Sequence, residues 1–289
     1  MRRTRTPKPV ADLVVAITGG GRGIGRATAE AFLAAGAKVA IGDLDGELAV
    51  KTAAELATTP GARILGLPLD VADRDSFAAY LDAAEAELGP LDVLVNNAGI
   101  MPTGMFADEV DAMTDRMIDI NLRGVITGCK LAIARFVERG SGRVVNVASL
   151  AGLLDAPGIV TYCATKSAVI TFSRALDREL RDRGSGVSVV LPGVVSTELS
   201  AGANYPRWMT RIASVEPAEV ARAIVAAAGG GRVQVFVPRS LAAALRALSL
   251  LPGPVRRSIE RQMGLERAFA RPHAAAREAY HRRLTEDRP

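Results

Sequence analysis

The sequence predicts an α/β protein: a doubly wound, parallel, seven-stranded sheet in a single domain with a C-terminal helical extension. Three observations carry this. Short β-branched runs alternate with longer Ala-rich stretches along most of the 289 residues, and strand–helix alternation reads as a parallel sheet covered by helices. The strand runs are nearly continuous in apolar residues rather than alternating, as expected for strands covered on both faces. The first strand ends in a Gly-rich turn that opens directly onto a helical pattern.

Candidate strands occupy residues 13–18, 38–43, 64–69, 93–96, 143–148, 187–191 and 233–237. Candidate helices occupy 25–35, 46–57, 74–88, 110–139, 159–183 and 217–228. In the helix at 159–183, Ala164, Ala168, Phe172, Ala175 and Leu176 recur at spacings that define one face, while Arg174, Asp177, Arg178 and Arg181 fall elsewhere. The first set is expected to be buried and the second solvated. The sheet is complete after Val237, which divides the chain into a basic arm (1–12), the sheet domain (13–238) and a basic helical extension (239–289).

Composition narrows the function classes. With 49% hydrophobic and 23% charged residues the chain is an ordinary soluble type, and with aromatics at 4% its core must be built from Ala, Val, Leu and Ile. Cys129 and Cys163 lack paired metal-ligand spacing, and both His lie in the tail, so no metal site is expected. A reducing cytoplasm is the expected compartment. The formal charge of +5 is local: residues 239–289 hold eleven Arg against five acids, which leaves the rest near neutral. A nucleic-acid face would spread cationic charge over a folded surface, so no nucleic-acid partner is expected. The basic start, 1–9, is followed by no apolar segment and is not read as a signal peptide. The apolar run 241–251 is too short to span a bilayer.

The turn Thr18-Gly19-Gly20-Gly21-Arg22-Gly23-Ile24-Gly25 lies between the first strand and the first helix. Glycine lets the chain turn sharply and lets a pyrophosphate approach without a Cβ in the way, and the free N–H groups of the following helical turn face the anion. Gly19, Gly21, Arg22, Gly23 and Ile24 are therefore candidate cofactor contacts, and the domain is read as Rossmann-type. Asp43 ends the second strand, 20 residues after Gly23. A carboxylate there can accept both ribose hydroxyl hydrogens of an adenosine and would repel a 2′-phosphate. That favours NAD over NADP. Arg22 argues the other way, since a cation in the turn could reach a 2′-phosphate.

Tyr162 and Lys166 stand four residues apart in a helical stretch, on one face and a turn apart. A free phenol, with a pKa of about 10, is too weak an acid to exchange its proton readily at neutral pH. A nearby ammonium and a cationic nicotinamide ring stabilise the phenolate, so the phenol can give a proton to a carbonyl oxygen or take one from an alcohol. A plain alternative is a helix-surface Tyr packed on a Lys stem. Ser149 follows a strand, where open α/β sheets place ligands; its hydroxyl suits either a substrate oxygen or a local cap. Asn96-Asn97-Ala98-Gly99 follows the fourth strand, with small residues for close cofactor approach and Asn side chains suited to loop backbone groups. Asn121 sits inside the helical stretch 110–139, where Asn is a mediocre former. It holds either a water linked to Lys166 or a local helix distortion.

Taken together these residues resemble the short-chain dehydrogenase/reductase family. The likeness runs over 13–238 and includes the glycine turn, Asp70-Val71, Asn97-Ala98-Gly99, Asn121, Ser149, Tyr162 with Lys166, and Pro192-Gly193 with Thr197. The resemblance implies that Asn121, Ser149, Tyr162 and Lys166 form a catalytic tetrad. It implies adenine contacts at Asp70 and Val71, nicotinamide contacts near Pro192, Val195 and Thr197, and a ribose contact from Lys166. It implies hydride transfer between nicotinamide and a carbonyl or secondary-alcohol carbon of a small molecule, in a homodimer or homotetramer. Cys163, before Ala164, departs from the family pattern and is read as neutral packing. The extension runs past the point where compact members end.

Residues 196–213, with Tyr205, Pro206, Trp208 and Met209, occupy the place of the family's substrate lid. Trp208 there either lines an apolar substrate surface or anchors the loop. Leu153 and Leu154 are further candidates for the pocket. A lipophilic alcohol or ketone is the expected substrate. In the extension, Leu241, Leu245, Leu248 and Leu251 recur at helical spacing. An arm docked on a neighbouring subunit is favoured over an interfacial helix on anionic lipid, since apolar helix faces mostly bury against protein. The competing function classes are a catalytically silent NAD-binding sensor or assembly subunit, which would not need the tetrad, and a sugar-nucleotide epimerase, which would need a larger C-terminal domain.

Overall fold

In the computed structural model, the described residues are 8–58, 61–197, 199, 207–262, 264 and 269. Their strands are β1 (Val14–Thr18), β2 (Lys38–Asp43), β3 (Arg63–Pro68), β4 (Val93–Asn96), β5 (Gly142–Val147), β6 (Ser185–Pro192), β7 (Val194–Val195), β8 (Ser214–Val215) and β9 (Gln234–Val237). Seven of them form one sheet in the order β3-β2-β1-β4-β5-β6-β9, with every pair parallel. The order reverses between β1 and β4. That is the switch point where the carboxyl ends of neighbouring strands leave a crevice for a ligand.

Side-chain alternation explains why both faces are covered. On β1, Val14 and Ala16 enter one core cluster and Val15 and Ile17 the other, as a period of two requires. Helices α1 (Gly23–Ala34), α2 (Gly46–Leu56) and α8 (Pro217–Ala228) bury Phe32, Leu56 and Ile224 on one face. Helices α3 (Arg74–Leu88), α5 (Gly124–Arg139) and α6 (Val160–Leu180) bury Phe77, Phe136 and Val169 on the other. Two charges stitch the base: Asp92 accepts from Lys8 Nζ at 2.8 Å and from Val14 N at 3.1 Å. Lys8 thereby holds the end of the basic arm against the sheet.

Three expectations need correction. The helix expected over 110–139 is interrupted: α4 (Asp111–Ile118) passes through one wide π-helical turn, Asp119–Arg123, before α5. The face of α6 is also rotated from the expected one. Ala164 and Ala175 are exposed, and the buried positions are Thr161, Tyr162, Thr165, Lys166, Val169, Ile170, Ser173 and Leu180. Polar side chains on that inner face are hydrogen-bonded, as with Ser173 Oγ, which accepts from Asn146 Nδ2 at 2.9 Å, so apolar periodicity misplaces it. Third, the small parallel ladder of β7 with β8 sits beyond β6 and was not expected; α7 (Arg207–Ile212) leads into it.

In the extension, α9 (Leu241–Ser249) and α10 (Gly253–Gln262) are helical. Leu241 and Ala242 pack on the protein's own core, whereas Leu250 and Val255 are exposed. The extension therefore docks on its own domain at its start. Among the described residues, no helix is long and apolar enough to cross a membrane.

Candidate active site

The glycine turn leaves β1 at the switch point. Gly19 (φ +63°) and Gly23 (φ +55°) adopt the left-handed backbone that disfavours a side chain, and a Cβ on Gly25 would lie 2.0 Å from the Gly19 carbonyl oxygen. Neighbouring loops lock the turn. Asn97 Nδ2 donates to the carbonyls of Thr18 and Gly19, both at 3.0 Å, and Thr18 Oγ1 accepts from Asn97 N and Ala98 N, also at 3.0 Å. Thr52 Oγ1 donates to Gly21 O at 2.9 Å. The amide of Asn97 is thus committed to loop backbone groups, the use the sequence suggested for it. Arg22 is the N-cap residue of α1, and its side chain does not cap the helix. A Cβ on Gly23 would meet only the Thr197 side chain, at 3.4 Å, so the turn and the Thr197 segment face one another across a narrow gap.

Asp43 stands beside this turn. Its Oδ2 accepts from Gly21 N at 3.0 Å and its Oδ1 from Asp45 N at 3.4 Å. Burial holds its carboxyl above the usual carboxylate range, an effect opposed by the Gly21 hydrogen bond and the charge of Arg22. A carboxylate short of solvent is suited to a ligand that brings hydroxyl donors. The Arg22 guanidinium lies 3.8 Å from Asp45. Asp70 Oδ1 accepts from Ala72 N at 2.8 Å and Val71 is buried, which sets this turn at the carboxyl end of β3. The residues present fit a dinucleotide: a glycine cradle that a Cβ would fill, a helix N-terminus without a side-chain cap, and an under-solvated carboxylate.

Tyr162 and Lys166 project from one face of α6, and both are buried. Lys166 Nζ lies 5.7 Å from the centre of the Tyr162 ring and donates to Val147 O, at the end of β5, at 3.0 Å. Among the described residues no carboxylate pairs with it, and burial lowers its pKa to about 8. Asn121 is fully buried in the π-helical turn. Its Nδ2 reaches Ile100 O at 2.8 Å and Thr165 Oγ1 at 3.4 Å. A Cβ on Gly99 would lie 3.1 Å from Asn121 Oδ1 and 3.4 Å from Lys166 Nζ, so the loop after β4 fits between these two side chains because it carries glycine there. Asn121 therefore accompanies a helix distortion, one of the two readings the sequence allowed.

Ser149 follows β5 and caps a short 3-10 turn, Leu150–Leu153, by accepting from Ala151 N at 3.1 Å. That bond uses an oxygen lone pair and leaves the hydroxyl hydrogen to be donated. The turn packs on α6, where a Cβ on Gly152 would lie 2.7 Å from the Lys166 carbonyl carbon. Pro192 ends β6, and Val195 and Thr197 follow, with Thr197 N donating to Val195 O at 2.8 Å. Burial raises the thiol pKa of Cys129 to about 12 and also raises that of Cys163, so neither is poised as a nucleophile. Among the described residues no group of three or more His, Cys, Asp or Glu is placed to hold a metal.

Several contacts under the site were not expected from the sequence, which assigned the Asn96 side chain to loop backbone groups. Asn96, Asn146 and Ser173 form a buried chain under the site, with Asn96 Nδ2 donating to Asn146 Oδ1 at 2.9 Å. Glu109 accepts from Thr161 Oγ1 at 2.6 Å and also from Thr114, clasping α4 to the start of α6. An exchange between α6 and a distant acid has no local signal in the sequence. Leu153, a pocket candidate, is partly buried against the main core. Tyr205 and Pro206 lie outside the described residues, as do the side chains of Trp208 and Met209.

The comparisons agree with this architecture. The family described as short chain dehydrogenase matches residues 13–207, and the chain belongs to it. The chain is 40% identical over 197 residues to a protein named probable oxidoreductase EphD of Mycobacterium tuberculosis, a match covering 67% of this chain and 33% of that protein. The chain thus spans about a third of that relative's length. It is 42% identical over 184 residues to 2-(S)-hydroxypropyl-CoM dehydrogenase 3 of Xanthobacter autotrophicus, covering 64% of this chain and 72% of that one. A short chain dehydrogenase/reductase from Burkholderia phymatum, crystallised in complex with NAD, superposes with a TM-score of 0.74 at 25% identity, covering 91% of this chain and 97% of that one.

Proposed function

We propose that this protein is an oxidoreductase that transfers hydride between a nicotinamide cofactor and the carbon of a carbonyl or secondary alcohol, on a lipophilic substrate. One observation carries the reading: a buried Tyr162 with the Lys166 cation, which pairs with no carboxylate among the described residues, 5.7 Å from its ring centre at the carboxyl end of β5. The cofactor, when bound, supplies or accepts the hydride. The chain's own residues handle the proton and the geometry. Tyr162 donates its phenolic proton to the carbonyl oxygen in reduction and takes it from the alcohol in oxidation. Lys166 stabilises the phenolate electrostatically and contacts the nicotinamide ribose. Ser149 donates its hydroxyl hydrogen to the substrate oxygen and holds it for Tyr162. Asn121 acts at one remove, by fixing the loop after β4 against Lys166.

The remaining roles follow the shape of the turn. Gly19, Gly21, Arg22, Gly23 and Ile24 would hold the pyrophosphate, Asp70 and Val71 the adenine, and Asn97, Ala98, Gly99, Pro192, Val195 and Thr197 the rest of the cofactor. NAD is preferred to NADP in this reading. Two features support this: a carboxylate at Asp43, bonded to Gly21 N beside the turn, would repel a 2′-phosphate, and the Arg22 guanidinium lies 3.8 Å from Asp45. The same reading includes homo-oligomeric assembly, which light scattering checks directly, and an ordered division into arm, catalytic domain (13–238) and extension.

The test is a screen of lipophilic secondary alcohols with NAD and with NADP, on wild type and Tyr162→Phe, followed by cofactor absorbance. Turnover in wild type and its loss in the variant are expected. Full turnover by Tyr162→Phe would remove the phenol from the mechanism. Tight cofactor binding without turnover on any alcohol or ketone would favour a silent binding protein.

A further inference from the structure

Beside the two large clusters that cover the sheet faces, the protein has a third apolar cluster. It joins Ile100, Met101, Met117, Ala156 and Ile159 with Tyr162. The remaining member is Phe269, from the C-terminal extension, with only 7% of its surface exposed. Leu199, just after the Thr197 segment, packs against the same cluster. These residues come from the loop after β4, from α4, from the approach to α6, and from a chain segment more than a hundred positions beyond Tyr162.

The composition of this cluster suits a binding wall better than a structural core. None of its members lies on a strand of the main sheet, and they include the phenol ring of Tyr162. Methionine contributes Met101 and Met117, with Met113 at the margin, and its unbranched side chain adapts to varied shapes. Ligand sites are lined mainly by apolar and aromatic side chains with a few placed polar groups. Here the apolar part meets one reactive hydroxyl.

We propose that Phe269 is a specificity-determining residue, its ring closing the apolar wall against which a substrate's hydrocarbon skeleton lies while Tyr162 meets its oxygen. The inference rests on the proposed proton role of Tyr162. It gives the extension a part in substrate selection and narrows the substrate class to secondary alcohols or ketones with an extended apolar carbon skeleton.

The test uses the full chain as wild type, Phe269→Ala, Phe269→Leu and Phe269→Trp, assayed on secondary alkanols from butanol to decanol. Phe269→Ala is expected to raise KM for decanol by about tenfold while leaving kcat on butanol within about twofold, as lost apolar contact predicts. Phe269→Leu should retain most of the preference, and Phe269→Trp should shift it toward shorter chains. An unchanged decanol-to-butanol ratio in all three variants would make the ring a packing anchor and overturn the proposal. A uniform rise in kcat/KM across the series would also overturn it, since that marks a plug displaced by substrate. If circular dichroism shows that Phe269→Ala does not fold, the Leu and Trp variants decide by the same ratio. If wild type oxidises no alkanol, the functional reading has failed separately. Secondary decanol titrated against intrinsic fluorescence then decides: weaker binding in a folded Phe269 variant supports the wall, and equal binding overturns it.

Discussion

Asn121 and the backbone of Ile100 hold one another through two hydrogen bonds, Nδ2 donating to Ile100 O and Oδ1 accepting from Ile100 N, both at 2.8 Å. The side chain thus pairs with a loop residue as a neighbouring strand would. An amide is the group that offers a donor and an acceptor side by side: an ionised Asp lacks the donor, and Leu lacks both. The helix carrying it widens into a π turn at Asp119–Arg123, an irregularity that often marks functional sites. Through Gly99, which fits between Asn121 and Lys166, the clasp sets the distance between the loop after β4 and the buried cation.

Asn121→Ala removes both partners of a buried N–H and a buried C=O. Unsatisfied buried groups cost about 1–3 kcal/mol each, so a loss of about 2–6 kcal/mol is expected in urea unfolding. Turnover should fall with it, and restoring the amide by Gln, one methylene longer, should recover little. An unchanged unfolding midpoint would show that the loop is held by other contacts.

Tyr162→Phe keeps the ring and removes the proton. Positioned acid–base groups contribute about 10²- to 10⁴-fold, and kcat should fall by that range. Cofactor affinity, read by binding fluorescence, should stay close to wild type. Lys166→Ala differs, because its expected ribose contact means that turnover and cofactor affinity should both fall. Equal cofactor affinity in wild type and Lys166→Ala would remove the ribose contact from the reading.

Much of this architecture was legible in the sequence, and for a physical reason. All seven main-sheet strands fall within two residues of their expected bounds, because strands covered on both faces need unbroken apolar runs. The glycine turn, Asp43, and the Tyr162–Lys166 pair were also legible, since each is a short motif fixed by local geometry. The inner face of α6 was not. Its buried positions include Thr165, Lys166 and Ser173, which hydrophobic periodicity assigns to solvent, and the partners that make them tolerable come from β5 and the π turn. Phe269 was illegible for a related reason. Its neighbours are contributed by the loop after β4, α4 and α6, and nothing local to the extension announces them.

Lys166 makes the stability of the ligand-free protein depend on pH in a defined direction. Burial lowers its pKa from 10.5 to about 8, so the folded state binds fewer protons than the unfolded state between those values. Stability therefore rises with pH across that window, and below pH 8 the full penalty of burying the cation is present. At 1.36 kcal/mol per unit the penalty is on the order of 3 kcal/mol. Lys166→Met, which removes the charge and keeps an unbranched stem, should flatten this rise. Unfolding midpoints measured from pH 7 to about 10.5 check it, and parallel curves for the two proteins would show that Lys166 does not titrate in the window.

Asp43 should decide the cofactor. Its Oδ2 already accepts from Gly21 N at 3.0 Å, so the carboxylate shapes the turn and keeps lone pairs that the proposed ribose contact would use. Asp43→Asn keeps the shape and an acceptor oxygen but removes the charge. Losing one charge-assisted hydrogen bond costs about 1.5–3 kcal/mol, or about 10- to 150-fold in affinity. The KM for NAD should rise toward that range, and the KM for NADP should fall because the repulsion of a 2′-phosphate is gone. Asp43→Ala should lose NAD in the same way and also weaken the turn, since Gly21 N is left without its acceptor. The measurement is kcat/KM with each cofactor for all three proteins. A wild type that already prefers NADP, or an NAD-to-NADP ratio that does not move in Asp43→Asn, would reassign the choice to Arg22, whose guanidinium lies on the same turn 3.8 Å from Asp45.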